Sequence, residues 1–330
     1  RALVNAAGPW AAQFLREDVG LADTKGLRLV KGSHIVVRQR FQHDHAYIFQ
    51  NPDKRIIFAI PYEGEFTLIG TTDVEDQGPI GQPRISADET AYLCEQASRY
   101  LAQPVTPADV VWSYSGVRPL LDDEESDASA VTRDYLLELQ RVGDGDADPA
   151  KAPLLSVWGG KITTFRKLAE EAADLLCDAF GERRAAWTAG AQLPGGDLRP
   201  WIGDPKRPDD DLQCFTQALQ NAHPQLPPPL LARWARDYGA RIALLLGADT
   251  PPRLGASVAP GVYEAELRYL HDHEWARCAE DVLWRRTKLG LHLDEFGRAA
   301  VAAWWRQRYG DPGAPAAAGA PPMEKANAWN

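Results

Sequence analysis

The sequence predicts an α/β unit carrying an inserted antiparallel sheet, followed by an all-α domain. Two strand–turn–helix segments, at residues 2–15 and 154–180, bracket the region between them. That region holds consecutive runs rich in β-branched and aromatic residues, joined by short turns. Beyond Gly190 the apolar residues recur with helical spacing. The expected domains are 1–187, with the sheet inserted at about 27–140, then a helical domain at 188–310 and an Ala-, Pro- and Gly-rich flexible tail at 311–330.

The elements follow in order. Residues 2–6 read as a short apolar strand. Gly8 permits the turn after it, and Pro9 suits the first turn of a helix over 10–15. Strands are predicted at 27–37, 47–50, 55–61 and 66–71, with Asn51-Pro-Asp53 and Glu63-Gly-Glu65 as turns. Ser86-Ala-Asp-Glu89 reads as a capping box opening a helix to about Leu101. Further strands are expected at 110–117, 134–139 and 154–158. Gly159-Gly160 turns the last of these into a helix capped by Thr163 or Thr164, with Leu168, Ala172, Leu175, Leu176 and Ala179 as its apolar face. In the second domain helices are expected at 211–222, 229–238, 241–246, 262–274, 279–291 and 293–309. Glu264–Arg268 is spaced there for an ion pair. Trp275, Trp284, Trp304 and Trp305 predict a helical core in this part.

Composition bounds the function classes. The chain has 330 residues, 45 % of them apolar and 25 % charged, as in folded globular proteins. A net charge of −10 argues against a nucleic-acid partner, which needs a concentrated basic face. The four cysteines, Cys94, Cys177, Cys214 and Cys278, form no Cys-x-x-Cys pair, which points away from zinc and towards a reduced, cytoplasmic compartment. No apolar run approaches a membrane span, and the opening residues lack a signal-peptide pattern. They read as the interior of a strand without an initiating Met, so a fragment or processed chain is expected.

The candidate chemistry concentrates in a few runs. No Gly-x-Gly-x-x-Gly fingerprint is present. Gly160-Lys161 does not complete a P-loop, because Leu155 and Ile162 stand where Gly and Ser or Thr are required. Gly159, Gly160, Lys161, Thr163 and Thr164 instead form a strand-to-helix turn with outward N–H groups and a cation, suited to an anion or an electron-rich ring edge. In Ser115-Gly116-Val-Arg118-Pro119 an Arg ends a strand, where its guanidinium can bind a phosphate or carboxylate by two parallel bonds. Its competing role is an ion pair with the acidic run 122–127. Arg133 is a second candidate anion ligand. His34 is a candidate for moving a proton, since imidazole titrates near neutrality. The spacings at Asp144–Asp148, His43–His45 and His271–His273 do not match metal sites. No metal ligand set is assigned.

Taken in order, these runs resemble the FAD-dependent glycerol-3-phosphate dehydrogenases, within the wider glycine oxidase and D-amino-acid oxidase class. The resemblance is carried by Asn5-Ala-Ala-Gly-Pro-Trp10, Leu29-Val-Lys-Gly-Ser-His-Ile-Val36, Ile69-Gly-Thr-Thr-Asp73, Tyr114 to Leu120, Thr132-Arg-Asp-Tyr135 and Trp158 to Lys167. In the helical domain it is carried by Tyr263-Glu-Ala-Glu266, His273-Glu-Trp275 and Asp281 to Gly290.

The resemblance implies a partial Rossmann-like FAD domain and oxidation of sn-glycerol 3-phosphate to dihydroxyacetone phosphate, with electrons passed to membrane quinone. It implies Arg118, Arg133 and Lys161 at the substrate, His34 as a base or hydrogen-bond partner, and Ala7, Gly8, Trp10, Gly116, Gly159, Gly160, Lys161, Thr163 and Thr164 at FAD. It further implies a peripheral protein on the inner face of the cytoplasmic membrane, often a homodimer. The family's N-terminal Gly-x-Gly-x-x-Gly segment is not among these residues, so poor FAD binding and little turnover are expected of the chain as it stands. The alternatives are a glycerol-3-phosphate oxidase using oxygen and a non-catalytic docking or assembly module.

Overall fold

In a computed structural model the residues described are 1–21, 24–121, 134–141, 152–182, 184–247, 249 and 251–310. The chain divides into two compact units, Arg1–Ala191 and a second that begins at Gln192.

The first unit is built on two sheets. In the smaller, β1 (Leu3–Asn5) runs parallel to β9 (Pro153–Gly159), which pairs antiparallel with β8 (Tyr135–Arg141). Helix α1 (Ala11–Glu17) packs Ala11, Ala12 and Leu15 against Leu154 and Trp158 of β9. The parallel register Asn5 to Ser156 brings the C-terminal ends of β1 and β9 side by side. The turns that follow both strands therefore emerge at the same end of the sheet, the usual place for a ligand in α/β folds.

The larger sheet has six strands. β2 (Leu27–Arg38) is its centre, because twelve extended residues give it two full edges. One edge pairs with β5 (Phe66–Gly70) and β6 (Val74–Glu75), and the other with β7 (Val110–Leu121). β3 (Tyr47–Gln50) and β4 (Ile56–Tyr62) complete the meander beyond β5. Alternation of side chains sends Ile35, Val37, Ile57, Ala59 and Ile69 to one face, where α2 (Ala87–Ser98) covers them with Leu93, Cys94 and Ala97. The capping box at Ser86 forms as expected: Ser86 Oγ accepts from Glu89 N at 3.1 Å, and Glu89 Oε2 accepts from Ser86 N at 2.8 Å. The opposite face presents His34, Tyr114, Gly116 and Arg118.

α3 (Phe165–Ala179) departs from expectation in two ways. Thr164 does not cap it, since its hydroxyl donates back to Lys161 O at 3.0 Å across a 3₁₀ turn at Ile162–Thr164. The expected apolar face is only half-buried. The buried residue is Glu170, which accepts from Arg166, Lys167 and the Thr188 hydroxyl.

The second unit is mainly helical: α4 (Arg199–Ile202), α5 (Pro208–Ala222), α6 (Pro228–Tyr238), α7 (Ile242–Leu246), α8 (Glu264–His273), α9 (Leu289–His292) and α10 (Glu295–Tyr309). Its core joins Phe215, Leu231, Trp234, Ile242, Leu267, Leu270 and Trp305. Two expected helices are shorter. Residues 262–263 form β11 (Val262–Tyr263), which pairs with β10 (Ser257–Ala259), so α8 starts only at Glu264. The run at 279–291 is broken at Thr287, whose extended backbone separates a π-helical turn (Asp281–Arg286) from α9. The Glu264–Arg268 pair forms at 2.7 Å. Of the four core tryptophans expected, Trp305 is buried and Trp284 and Trp304 partly so, but Trp275 is 71 % exposed. Trp275 sits in a left-handed turn after α8 that carries its ring away from the core.

Candidate active site

Three strands place the central row of the sheet face. His34 of β2 stands opposite Gly70 of β5 on one side and Tyr114 of β7 on the other. The imidazole stacks on Tyr114, ring centroids 4.9 Å apart and planes 4° from parallel. On its other flank it fills the space that a side chain at Gly70 would occupy. Its Nδ1 is buried and meets no partner among the described residues. Burial, and then the charge of Arg118, hold the imidazole below its ordinary pKa.

Two residues along β7, past Gly116, Arg118 is anchored rather than free. Its Nη2 donates to Thr72 O at 3.2 Å and pairs with the Asp73 carboxylate. Arg118 thus carries a structural ion pair, but its partner is Asp73 from the β5–β6 connection, which sequence reasoning did not name. The acidic run 122–127 lies outside the described residues. Gly32 makes room for this arrangement, because a Cβ there would lie 2.9 Å from Arg118 Nη2 and 2.7 Å from Thr71 Oγ1. Gly116, between Tyr114 and Arg118, is the opposite case: a Cβ there would meet nothing within 4 Å. Among the described residues, the sheet face at Gly116 is open.

The turn at the end of β9 comes to the same place. Gly159 and Gly160 have φ of +68° and +102°, a conformation that side chains with a Cβ resist. A Cβ on Gly159 would lie 2.8 Å from Asp134 O and 3.8 Å from Pro119 O, so this turn sits against the residue that follows Arg118. Lys161 is exposed and has no ion-pair partner among the described residues. Thr163 is exposed and Thr164 half-buried in the turn after it.

At the adjoining end of β1, Asn5 fixes the turn Ala6–Trp10. Its side chain donates to Ala11 O at 3.0 Å and accepts from Ala7 N at 3.3 Å. Gly8 takes φ +57°, and the Trp10 indole lies against Gly81. The structure thus brings together His34, Gly116, Arg118, Gly159 and Gly160, with Ala7, Gly8 and Lys161 at the neighbouring strand ends. Arg133 lies outside the described residues.

Sequence reasoning missed Tyr114 as a stacking partner, Asp73 as the anchor of Arg118, and Asn5 as the pin of the first turn. All three lay within the runs that carried the resemblance, and only their roles were illegible.

Comparison with known proteins follows this geometry. Residues 1–140 match the family model described as FAD dependent oxidoreductase, and residues 186–307 match the C-terminal domain of alpha-glycerophosphate oxidase. The chain is 47 % identical over 294 residues to a glycerol-3-phosphate dehydrogenase of Pseudomonas aeruginosa, covering 89 % of this chain and 54 % of that protein. It is 41 % identical over 306 residues to D-erythritol 1-phosphate dehydrogenase of Brucella abortus, covering 92 % and 58 %. The crystal structure of glycerol-3-phosphate dehydrogenase from Bacillus halodurans complexed with FAD superposes with a TM-score of 0.71 at 27 % identity, covering 93 % of this chain and 58 % of that one. The chain spans a little over half the length of these relatives. Both family models, these relatives and the shared fold agree, and the chain belongs to the family of the FAD-dependent glycerol-3-phosphate dehydrogenases.

Proposed function

We propose that these residues form the substrate sheet and one flavin-facing edge of an enzyme that oxidises sn-glycerol 3-phosphate to dihydroxyacetone phosphate. The observation that carries this reading is the anchored Arg118 beside the open face at Gly116. A guanidinium held by Thr72 and Asp73 is pre-organised for a phosphate, and among the described residues nothing lies within 4 Å of a Cβ placed on the neighbouring Gly116.

The residues at the strand ends fit FAD. The left-handed glycine turn at 159–160, the open position at Gly116 and the pinned turn at Ala7–Trp10 give close approach for a flat ring and its chain, and Lys161 adds positive charge. Bound there, FAD supplies a two-electron acceptor for hydride. Arg118 and Lys161 bind the phosphate and set which carbon faces the ring.

For His34 the structure favours the hydrogen-bond role over the base. A base must become imidazolium, and its Nδ1–H would then be buried with no acceptor among the described residues, beside a cationic guanidinium. The neutral ring can instead carry its proton on Nε2 and hold the substrate oxygen without any charge forming, while the hydroxyl proton that leaves with the hydride passes to water or to a base other than His34.

The same reading passes the electrons to membrane quinone, with the protein peripheral to the cytoplasmic face. Among the described residues no helix is long and apolar enough to cross a membrane.

The test uses the native protein that carries these residues. Anaerobic addition of glycerol 3-phosphate should bleach its bound FAD, and an unchanged flavin spectrum would overturn the assignment. D-erythritol 1-phosphate, run in parallel because of the Brucella relative, decides which polyol phosphate is preferred. Peroxide release during turnover would replace quinone by oxygen as the acceptor.

A further inference from the structure

Directly beneath the site, on the face covered by α2, one carboxylate ties β2 to the β5–β6 connection and, through Ser33, to β7. Glu89 Oε1 accepts from Ser33 Oγ at 2.8 Å and from Thr72 Oγ1 at 2.7 Å. Thr72 Oγ1 in turn accepts from Ser33 N at 2.9 Å, and Ser33 Oγ lies 2.9 Å from Ser115 Oγ. Glu89 Oε2 accepts from Ser86 N at 2.8 Å and pairs with Lys31 Nζ at 2.9 Å. Glu89 is only 6 % exposed.

Ser33 and Thr72, which donate to Oε1, and Ser115, which meets Ser33, are each the immediate neighbour of a site residue. Ser33 stands between Gly32 and His34. Ser115 stands between Tyr114 and Gly116. Thr72 precedes Asp73, and its own carbonyl accepts from Arg118. In a strand, neighbours point to opposite faces, so a fixed hydroxyl below holds the next side chain above.

The donors and acceptors are matched. Ser115 can donate to Ser33, while Ser33 and Thr72 donate to Glu89, and a carboxylate only accepts. We infer that Glu89 is a positioning residue for phosphate recognition, holding Arg118 through Thr72 and the His34–Tyr114 pair through Ser33 and Ser115. This rests on the reading of the open face as the phosphate site.

Capping α2 is the other thing Glu89 does, and the two roles separate. Ser86→Ala removes the cap hydroxyl that Glu89 N donates to, without touching Oε1. Thr72→Val removes one Oε1 partner without touching the cap. Glu89→Gln turns an amide donor towards Ser86 N and Lys31 or towards the two hydroxyls, and either choice breaks the set.

The experiment measures inorganic phosphate binding by calorimetry on the native holoprotein, with glycerol 3-phosphate kinetics alongside. Thr72→Val and Glu89→Gln should each weaken phosphate about tenfold or more, with KM rising in proportion, since small displacements of a positioning group are costly. Ser86→Ala should lower the melting temperature and leave the phosphate Kd within about twofold, as for loss of a cap alone. Equal weakening in all three variants, or none in Thr72→Val, would overturn the inference. Should Glu89→Gln not fold, Thr72→Val against Ser86→Ala decides. Wild-type flavin that glycerol 3-phosphate does not bleach counts against the substrate reading. Bleached wild type with unaffected variants counts against Glu89 alone.

Discussion

The imidazole of His34 occupies the place of a side chain at residue 70: a Cβ built on Gly70 would lie 2.3 Å from His34 Cδ2. The two residues are directly opposed across β2 and β5, so neither backbone can retreat without loosening the ladder. Gly70→Ala must push the ring off Tyr114 or part the strands. The expected cost is about 1–3 kcal/mol, typical of overpacking, read from urea denaturation. Turnover should fall further than stability does, because the displaced ring is also the one proposed to hold the substrate oxygen.

Arg118 gives a second prediction. Arg118→Ala should raise KM for glycerol 3-phosphate by about 10- to 150-fold, the equivalent of a charge-assisted contact worth ~1.5–3 kcal/mol. Arg118→Lys should not restore it, because an ammonium cannot serve Thr72, Asp73 and a phosphate with one fixed plane. Steady-state kinetics on both variants check this, and an unchanged KM in Arg118→Ala would remove the residue from the phosphate site.

Glu89 makes acid stability predictable. Burial alone would raise its pKa, but the bonds from Ser86, Lys31, Thr72 and Ser33 outweigh it and bring the carboxyl from 4.5 to about 2. A carboxyl depressed in the folded state contributes its full stabilisation above its unfolded value and loses it as pH falls through the folded one. Stability should therefore decline between about pH 4.5 and pH 2. In Glu89→Gln that decline should be shallower, as measured by urea midpoints across this window.

Much of the fold was legible because its signals are local. Runs of β-branched and aromatic residues with turn residues between them located the meander, and the Ser86–Glu89 capping box marked the start of α2. What failed was non-local or competed with propensity. Residues 262–263 are apolar enough for a helix start, yet pairing with 257–259 takes them into a strand. Thr164 looked like a cap, but its hydroxyl found the Lys161 carbonyl first. At the site, the residue types were visible and their partners were not. Asp73 is 45 residues from Arg118, and Ser115 is 82 from Ser33, separations at which a single sequence carries no pairing signal.

The second unit carries a buried ion pair whose removal can be predicted in sign. Arg233 Nη2 donates to Glu266 Oε2 at 2.8 Å and to Gly261 O at 2.9 Å, and Tyr238 OH donates to Glu266 Oε1 at 2.7 Å. Glu266 is fully buried. Burial works against the charge on Arg233, but the hydrogen bond and charge of Glu266 outweigh it and raise its pKa. Burial also pushes the Tyr238 hydroxyl well up, so it remains a donor. Glu266→Leu alone should cost up to about 3–5 kcal/mol, because it leaves the guanidinium only Gly261 O and the longer pair with Asp237 at 3.5 Å. The double change Arg233→Met with Glu266→Leu should recover a large part of that loss, because no buried charge is then left unpaired. Chemical denaturation of both variants is the measurement, and a double variant no more stable than the single would mean the pair itself supplies the stability.

His34 permits the sharpest distinction between two chemistries. A general base contributes about 10²- to 10⁴-fold, and an amide in its place cannot take a proton. A hydrogen-bond donor can be replaced in part by the N–H of Gln. His34→Gln should therefore keep most of kcat, losing about tenfold or less, while His34→Leu loses more because it strands the substrate oxygen. The pH profile gives an independent reading. Burial and Arg118 hold the imidazole below 6.5, so its neutral form prevails above that pH and the acid limb of kcat/KM should lie lower. In Arg118→Ala, with the neighbouring charge gone, the limb should move up towards 6.5. A His34→Gln variant that loses a thousandfold in kcat would instead make His34 the base, with its buried Nδ1 carrying the proton.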